Sequence, residues 1–419
     1  MMETAGVTLK SPKSFADYYD FPELDIMGRA SEFKEYIEGN TQNRHFDYKR
    51  IALNGSAAVR QVKDNYTGET REMLYFASND YLNLTNHARV KEAGIEALKK
   101  YGAGAGSAPL LGGTTDLHIE LEKKIAKFKG CEKAIIYTSG YGSNSSSLLS
   151  MLTDKDLAIV DMLSHASLID GCRNTNVKYF KHNDVQDLES ILKKRKDSYR
   201  TKLVVIDGVY SMDGDIARLD QITAVAKHYG AYVMIDEAHA TGVLGQHGRG
   251  TSEHFNLTGK IDIISGTFSK ALGGVGGFVA SNSDLIDLLH FYSRGYMFSS
   301  AMTPQVAGSV ITALDVVEEE PQIRERLWNN INYFKKGLLH LGFDIGISET
   351  AIFPIIIGND FLTKEICREL NIYVNPVLYP AVSKRLSRIR LSIMAEHTKE
   401  HLDTVLNALE YLGKKYQIL

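Results

Sequence analysis

One lysine stands out for what its neighbours leave it free to do. Lys270 lies in GTFSKALGGVGG, just after the short apolar run DIISG, with almost no bulky side chains around it. A lysine partly withdrawn from water there has a lowered pKa, and its free amine can form a Schiff base. Thr267 and Ser269 place hydroxyls beside it that suit a phosphate. Other apolar runs also end in reactive side chains. AYVMID runs into Asp236-Glu237-Ala238-His239, KLVVID into Gly208-Val209-Tyr210-Ser211, and LAIVD is followed by Ser164-His165. Taken singly, Asp236 and His239 read as a helix cap or a surface pair, and Lys270 as one more surface lysine. Brought to one place, an acid, imidazoles, a hydroxyl and an amine make a site for acid–base and covalent chemistry.

Two glycine-rich stretches bear on phosphate binding. Gly102-Ala103-Gly104-Ala105-Gly106 follows a helical pattern, EAGIEALKKYG, whereas a dinucleotide fingerprint follows a strand. It reads as a helix stop plus a loop that must approach a ligand or another subunit closely. Thr138-Ser139-Gly140-Tyr141-Gly142-Ser143-Asn144 follows the strand-like KAIIY and opens a helix, the arrangement that presents backbone N–H groups to a phosphate.

The runs KAIIY (133–137), LAIVD (157–161), KLVVID (202–207), AYVMID (231–236), DIISG (262–266) and GGFVA (276–280) read as buried strands. Helical patterns over 88–100, 117–129, 218–229 and 283–293 lie among them. That alternation predicts an α/β fold with a mostly parallel sheet covered on both faces, and ligands gather off the carboxyl ends of such strands. The section 304–419 differs, with long helices over 305–319, 322–341 and 398–412 and strand runs FPIII, IYVNPV and RIRLSIM. It predicts a smaller α+β domain. In 398–412, Leu402, Val405, Leu406, Leu409 and Leu412 fall on one helical face. The expected division is an N-terminal segment 1–75, a large α/β domain 76–303 and a C-terminal domain 304–419. The first of these adds helical pieces around Glu32–Glu38, two strands around a turn at Thr67-Gly68, and the aromatics Tyr18, Tyr19, Phe21, Tyr36 and Phe46.

Composition removes other classes of function. Of 419 residues 44% are hydrophobic and 24% charged, as in a globular chain. Lys+Arg 48 against Asp+Glu 51 leaves a net charge of −3, so no basic excess exists for nucleic acid. Cys131, Cys172 and Cys367 stand far apart without C-x-x-C, which points to a reducing, cytoplasmic setting. No apolar run approaches a membrane span, and MMETAGVTLKSPKSF lacks the apolar core of a signal peptide. A metallohydrolase using His239 and His247 fails because H-E-x-x-H or an equivalent is missing, so no metal is expected.

In chain order, TSGYGSN, DMLSHASLIDG, DGVYSMDGD, DEAHATG, TFSKALGG and RIRLSIMAEHT resemble the α-oxoamine synthases, fold-type I enzymes that use pyridoxal 5'-phosphate (PLP). The resemblance runs from about Tyr75 to the C-terminus. It implies an aspartate aminotransferase-like fold and a decarboxylating condensation of an amino acid with an acyl thioester. Lys270 would hold PLP and remove the Cα proton. Asp236 would pair with the pyridinium nitrogen, keeping the ring a good electron sink. His239 and Ser211 would meet the ring's O3', and His165 would stack on one face with Ala238 on the other. Ser139, Gly140, Tyr141, Thr267 and Ser269 would hold the phosphate, while Ser299 and Ser300, in FSSAMTP, would reach the partner subunit's phosphate. Asn79 would lie near the amino acid and Arg390 would grip its carboxylate.

Within the family, VNPVLYPAVS, RIRLSIMAEHT, DGVYSMDGDIARL and SRGYMFSSAMTP look most like bacterial serine palmitoyltransferases. That implies L-serine and a long-chain acyl-CoA, or acyl carrier protein, as substrates of a homodimer. Glycine, alanine or cysteate are the alternative amino acids. One departure is Gly106-Ser107-Ala108-Pro109, where many members carry an arginine after G-S or G-T. A non-catalytic partner subunit would lack the Schiff-base lysine, so Lys270 argues against that role. The N-terminal segment is read as dimer-packing helices, ahead of a surface for lipid or acyl carrier protein.

Overall fold

The computed structural model describes residues 14–19, 21–45 and 48–419. After α1 (Ile26–Gln42) comes an antiparallel meander of β1 (Ile51–Ala52), β2 (Val59–Lys63) and β3 (Thr70–Leu74). The turn between β2 and β3 falls at Thr67-Gly68 as expected, with Gly68 at φ +76°. Helices α2 (Ala88–Tyr101) and α3 (Asp116–Lys129) lead into the central sheet, and Gly102 at φ +82° ends α2. The chain then alternates through β4 (Lys133–Tyr137), α4 (Gly140–Met151), β5 (Leu157–Asp161), α5 (Ala166–Gly171), β6 (Asn176–Phe180) and α6 (Val185–Lys194). It continues with β7 (Lys202–Asp207), α7 (Leu219–His228), β8 (Tyr232–Asp236), the short α8 (Thr251–His254), β9 (Ile263–Thr267) and β10 (Gly277–Ser281).

These seven strands form one sheet in the order β4-β10-β9-β8-β7-β5-β6. The ladders joining β6, β5, β7, β8 and β9 are parallel. β10 runs antiparallel to both its neighbours. The reason is local. Between Thr267 and Gly277 the chain is shorter than the dozen or so residues a parallel crossover needs, so it can only turn back as a hairpin. Apart from the edge strand β6, the strands are buried on both faces, and alternate residues join opposite cores. Ala158, Val160, Leu203, Val205 and Met234 pack on one side. Leu157, Ile159, Val204, Ile206 and Ile235 pack on the other.

Past the sheet come α9 (Ser283–Tyr292), the short α10 (Arg294–Met297), α11 (Pro304–Glu319) and α12 (Pro321–Leu341). A second, fully antiparallel sheet has the order β11-β13-β12, from β11 (Ile352–Ile356), β12 (Asn375–Val377) and β13 (Arg388–Ser392). Helices α13 (Asp360–Glu369) and α14 (Lys399–Lys415) accompany it, and α14 buries the five apolar residues expected on its inner face. Where β3 ends, the N-terminal meander meets the C-terminal region. Tyr373 N donates to Leu74 O at 2.8 Å and Phe76 N to Tyr373 O at 3.0 Å. The N-terminal aromatics pack among themselves. The rings of Tyr18 and Tyr36 lie 4.9 Å apart and those of Tyr18 and Phe21 5.7 Å apart, while Tyr19 is exposed. Phe46 lies outside the described residues.

Candidate active site

Strands β7, β8 and β9 lie side by side, so their carboxyl ends bring Asp207, Asp236 and Thr267 to one edge. Asp207 is in register with Asp236, and Asp236 with Ser265. Lys270 rides on the hairpin that follows β9. That turn is tied on both sides of the lysine: Phe268 N donates to Gly276 O at 2.9 Å, Gly274 N to Phe268 O at 2.8 Å, and Gly273 N to Lys270 O at 2.9 Å. Gly276 sits at φ +121°, and a Cβ there would fall 2.4 Å from Met302 Cε and 2.7 Å from Tyr137 O. Only glycine closes this turn without displacing its neighbours.

Lys270 opens onto a cavity of about 280 Å³, whose wall includes Asp236, His239, His165, Thr267 and Ser269. Ser139, Gly140 and Tyr141 complete the set expected from sequence, and Ala238 lies in the same wall. Lys270 keeps part of its surface open to the cavity, yet the crowding around its amine lowers its pKa to about 8, with Asp236 opposing the shift. The Asp236 carboxylate is fixed by two donors, Ala238 N to Oδ1 at 2.9 Å and Asn144 Nδ2 to Oδ2 at 2.7 Å. His165 is exposed along the cavity. Its backbone N–H donates to Asp207 Oδ2 at 2.9 Å, and its Nδ1 lies 2.7 Å from Ser167 Oγ. Burial drives His239 well below the usual imidazole range, and the positive charges of Lys270 and Arg390 push it the same way.

The phosphate-suited end is the start of α4. Ser139 caps the helix, its Oγ accepting from Gly142 N at 2.9 Å. The N–H groups of the first turn have no partner within the helix. A Cβ at Gly140 would lie 2.7 Å from both Cβ and Oγ1 of Thr267, so the close approach of helix and strand requires glycine. Thr267 Oγ1 and Ser269 Oγ are 2.8 Å apart at the same spot.

A second cluster adjoins the cavity. Arg390 is half-buried and donates to Ser211 O at 2.7 Å, Ser392 Oγ at 3.2 Å and Asn79 Oδ1 at 3.2 Å. Its acceptors are all neutral, and it makes no ion pair among the described residues. Glu396, an acid of the same segment, accepts from Asn83. Ser211 thus meets Arg390 through its backbone carbonyl, and neither residue lines the Lys270 cavity. Ser299 and Ser300 lie outside it as well, in a small neighbouring pocket with His118 and Thr138. His247 is hydrogen-bonded to Glu253, and no cluster of His, Cys, Asp or Glu that could hold a metal exists among the described residues.

Four residues of the site went unassigned in the sequence: Asn144, Asp207, Ser167 and Tyr81. Asn144 and Ser167 lie within recognised motifs and Asp207 at a strand end, so motif and strand-end position were the signals available. Tyr81, whose Oη lies 2.7 Å from His239 Nδ1, stands two residues after Asn79, and that neighbourhood was the signal available.

A family model described as aminotransferase class I and II matches residues 71–409. An 8-amino-7-oxononanoate synthase of Thermoanaerobacter pseudethanolicus is 44% identical over 376 residues, 88% of this chain and 94% of that protein. A serine palmitoyltransferase of Sphingobacterium spiritivorum is 42% identical over 353 residues, 83% of this chain and 88% of that protein. The chain is an α-oxoamine synthase of the aminotransferase class I and II family. Its fold is fold-type I. The solved structure of serine palmitoyltransferase from S. paucimobilis with a bound PLP–myriocin adduct superposes on the synthase with a TM-score of 0.89. It covers 94% of this chain and all of that one at 31% identity. The synthase is therefore a PLP-dependent acyltransferase. The residues present fit that cofactor: a carboxylate held by two donors, a lysine amine with lowered pKa, and a helix start whose glycine lets Thr267 approach.

Proposed function

We propose that the synthase condenses L-serine with a long-chain acyl thioester, losing CO2 and yielding a 3-keto amine such as 3-ketodihydrosphingosine. The observation that carries this reading is the pairing of Lys270 with Arg390. One offers an amine beside a fixed carboxylate, the other a half-buried guanidinium bound only to neutral acceptors. The charge of Arg390 helps to lower the proton affinity of Lys270, and an anion between the two groups would relieve that repulsion. An α-amino acid, with its carboxylate toward Arg390 and its Cα toward Lys270, meets that demand.

In this reading PLP, when bound, supplies the electron sink for negative charge developing at the amino-acid Cα. Asp236 would hold the ring nitrogen's proton, with its carboxylate kept in place by Asn144 and the Ala238 N–H. His165 and Ala238 would flank the ring, and His239 would reach its oxygen. The N–H groups of Gly140 and Tyr141, with the hydroxyls of Ser139, Thr267 and Ser269, would hold the phosphate. Lys270 Nζ accepts the Cα proton, as an amine with a pKa near 8 does readily at physiological pH. Arg390, steadied by Ser211 and Asn79, fixes the carboxylate so that one rotamer about N–Cα dominates.

Serine is favoured by VNPVLYPAVS and by the likeness to the S. paucimobilis serine palmitoyltransferase, which leaves only 6% of this chain outside it. The 44% identity to 8-amino-7-oxononanoate synthase supports a second reading, with alanine as the amino acid. Titrating the visible absorbance of the PLP-loaded protein with serine, alanine, glycine and cysteate separates them. Saturation by serine alone, followed by acyl-CoA-dependent CO2 release, is expected. Saturation by alanine alone would establish the second reading.

A homodimer completes the proposal. Ser299 and Ser300 lie outside their own cavity, and the exposed ring of Phe298, beside them in the chain, suits a subunit face. A monomer fully active at nanomolar concentration would remove this part. Three free cysteines support a reducing, cytoplasmic setting. No described helix is long and apolar enough to cross a membrane.

A further inference from the structure

Tyr81 is 1% exposed and stands between the two clusters of the site. Its Oη lies 2.7 Å from His239 Nδ1 and 3.5 Å from Asn79 Oδ1. Counting donors and acceptors decides which way its proton points. A guanidinium only donates, and Arg390 Nη2 gives its hydrogen to Asn79 Oδ1, which sets the orientation of that amide. At 3.5 Å the amide oxygen is too far for an O–H···O bond, which spans about 2.5–3.0 Å. The phenol proton has one acceptor in reach, His239 Nδ1. The phenol also keeps that proton, because burial raises its pKa to about 12.

His239 then carries its own proton on Nε2. That nitrogen has no partner among the described residues, and the ring borders the cavity. The charged and titratable groups around His239 are Tyr81, Lys270, Arg390 and His165. No carboxylate among them competes for the Nδ1 position. We infer that Tyr81 is a positioning residue that locks His239 in the tautomer with a bare Nδ1 and a protonated Nε2, so that the cofactor site receives a hydrogen-bond donor. Without the phenol, an isolated imidazole can place its proton on either nitrogen. Tyr81 is held for this task by its own backbone, whose carbonyl accepts from Ala395 N at 2.8 Å. The inference rests on the proposed placement of His239 at the cofactor's ring oxygen.

The test is a cycle of Tyr81→Phe, His239→Gln and the double variant in the PLP-loaded protein, read by the pH midpoint of the bound cofactor's visible absorbance. Phenylalanine keeps the packing and removes only the hydroxyl. A donor at the ring oxygen favours the deprotonated form, so Tyr81→Phe should raise the midpoint by about one pH unit, tenfold in proton affinity. In the His239→Gln background the same change should do nothing. An unmoved midpoint in Tyr81→Phe while His239→Gln moves it would overturn the inference, as would an equal shift in both backgrounds. If His239→Gln itself leaves the midpoint alone, the placement of His239 fails, and nitrogen-15 spectra of the imidazole decide the rest. A protonated Nε2 that is lost in Tyr81→Phe would uphold the role of Tyr81; an unchanged tautomer would end it.

Discussion

The ends of β7, β8 and β9 supply the walls around Lys270, whereas Asn79, Tyr81, Ser211 and Arg390 meet across sequence separations of up to 311 residues. The first group is fixed by hydrogen-bonded ladders and by turns that tolerate only glycine. The second is fixed by side chains that reach from one region of the chain to another. A sheet edge presents reactive groups in a rigid row, which suits a cofactor that must not move. A cluster of donors from separate segments suits a ligand that arrives and leaves at every turnover.

Substitutions should therefore separate the two groups. The largest effect is expected at Lys270, the proton-carrying residue of the sheet edge. Lys270→Ala should lower turnover by at least about 10²–10⁴-fold, as measured by CO2 release. Arg390→Ala comes next. Loss of a charge-assisted pair worth about 1.5–3 kcal/mol should raise the amino-acid dissociation constant roughly 10- to 150-fold while leaving PLP affinity unchanged. Spectral titration with the amino acid reads the first and titration of the apo-protein with PLP the second. A parallel loss of PLP affinity would show that the two groups are not separable.

Gly140→Ala probes the opposite corner. Its Cβ would fall 2.7 Å from Thr267, and relieving that contact should cost about 1–3 kcal/mol. PLP should bind correspondingly more weakly, with amino-acid affinity of the loaded protein nearly unchanged. Equilibrium titration of both ligands checks this.

The smallest effect on activity, and the clearest on stability, concerns His182. It is held between Asp161 Oδ1 at 3.0 Å and Asp215 Oδ2 at 2.9 Å, behind the loop that carries Ser211. Burial lowers its pKa, but the bonds to Asp161 and Asp215 outweigh this and raise it to about 10. A group whose folded pKa exceeds the unfolded value stabilises fully below the unfolded pKa, near 6.5. That stability disappears as pH rises through about 10. Melting temperatures of wild type and His182→Gln should differ most near pH 6 and converge above pH 10. A constant difference would mean that the imidazole is held by packing rather than by charge.

What the sequence showed follows the same division. Buried strands such as LAIVD and KLVVID have unbroken apolar interiors, so they and the aspartates that close them could be read directly. β6, NVKYF, is a sheet-edge strand with two of its five residues exposed, and its mixed composition gave no strand signal. The reversal of β10 was written in the short link after Thr267, a loop-length argument rather than a pattern of residues. Arg390 was found through resemblance alone, and its bonds to Ser211 and Asn79 depend on how distant segments pack. Tyr81 escaped notice because a tyrosine after Asp80 reads as a core residue until His239 is placed beside it.

The covalent role of Lys270 has the most direct test. The PLP-loaded protein is reduced with borohydride, digested and mapped. The expected result is a yellow protein that yields a single pyridoxyl-modified peptide, with the label on the lysine of TFSKALGG. A pyridoxyl group on any other lysine would contradict it, since the cavity around Asp236 would then not be where the cofactor is held.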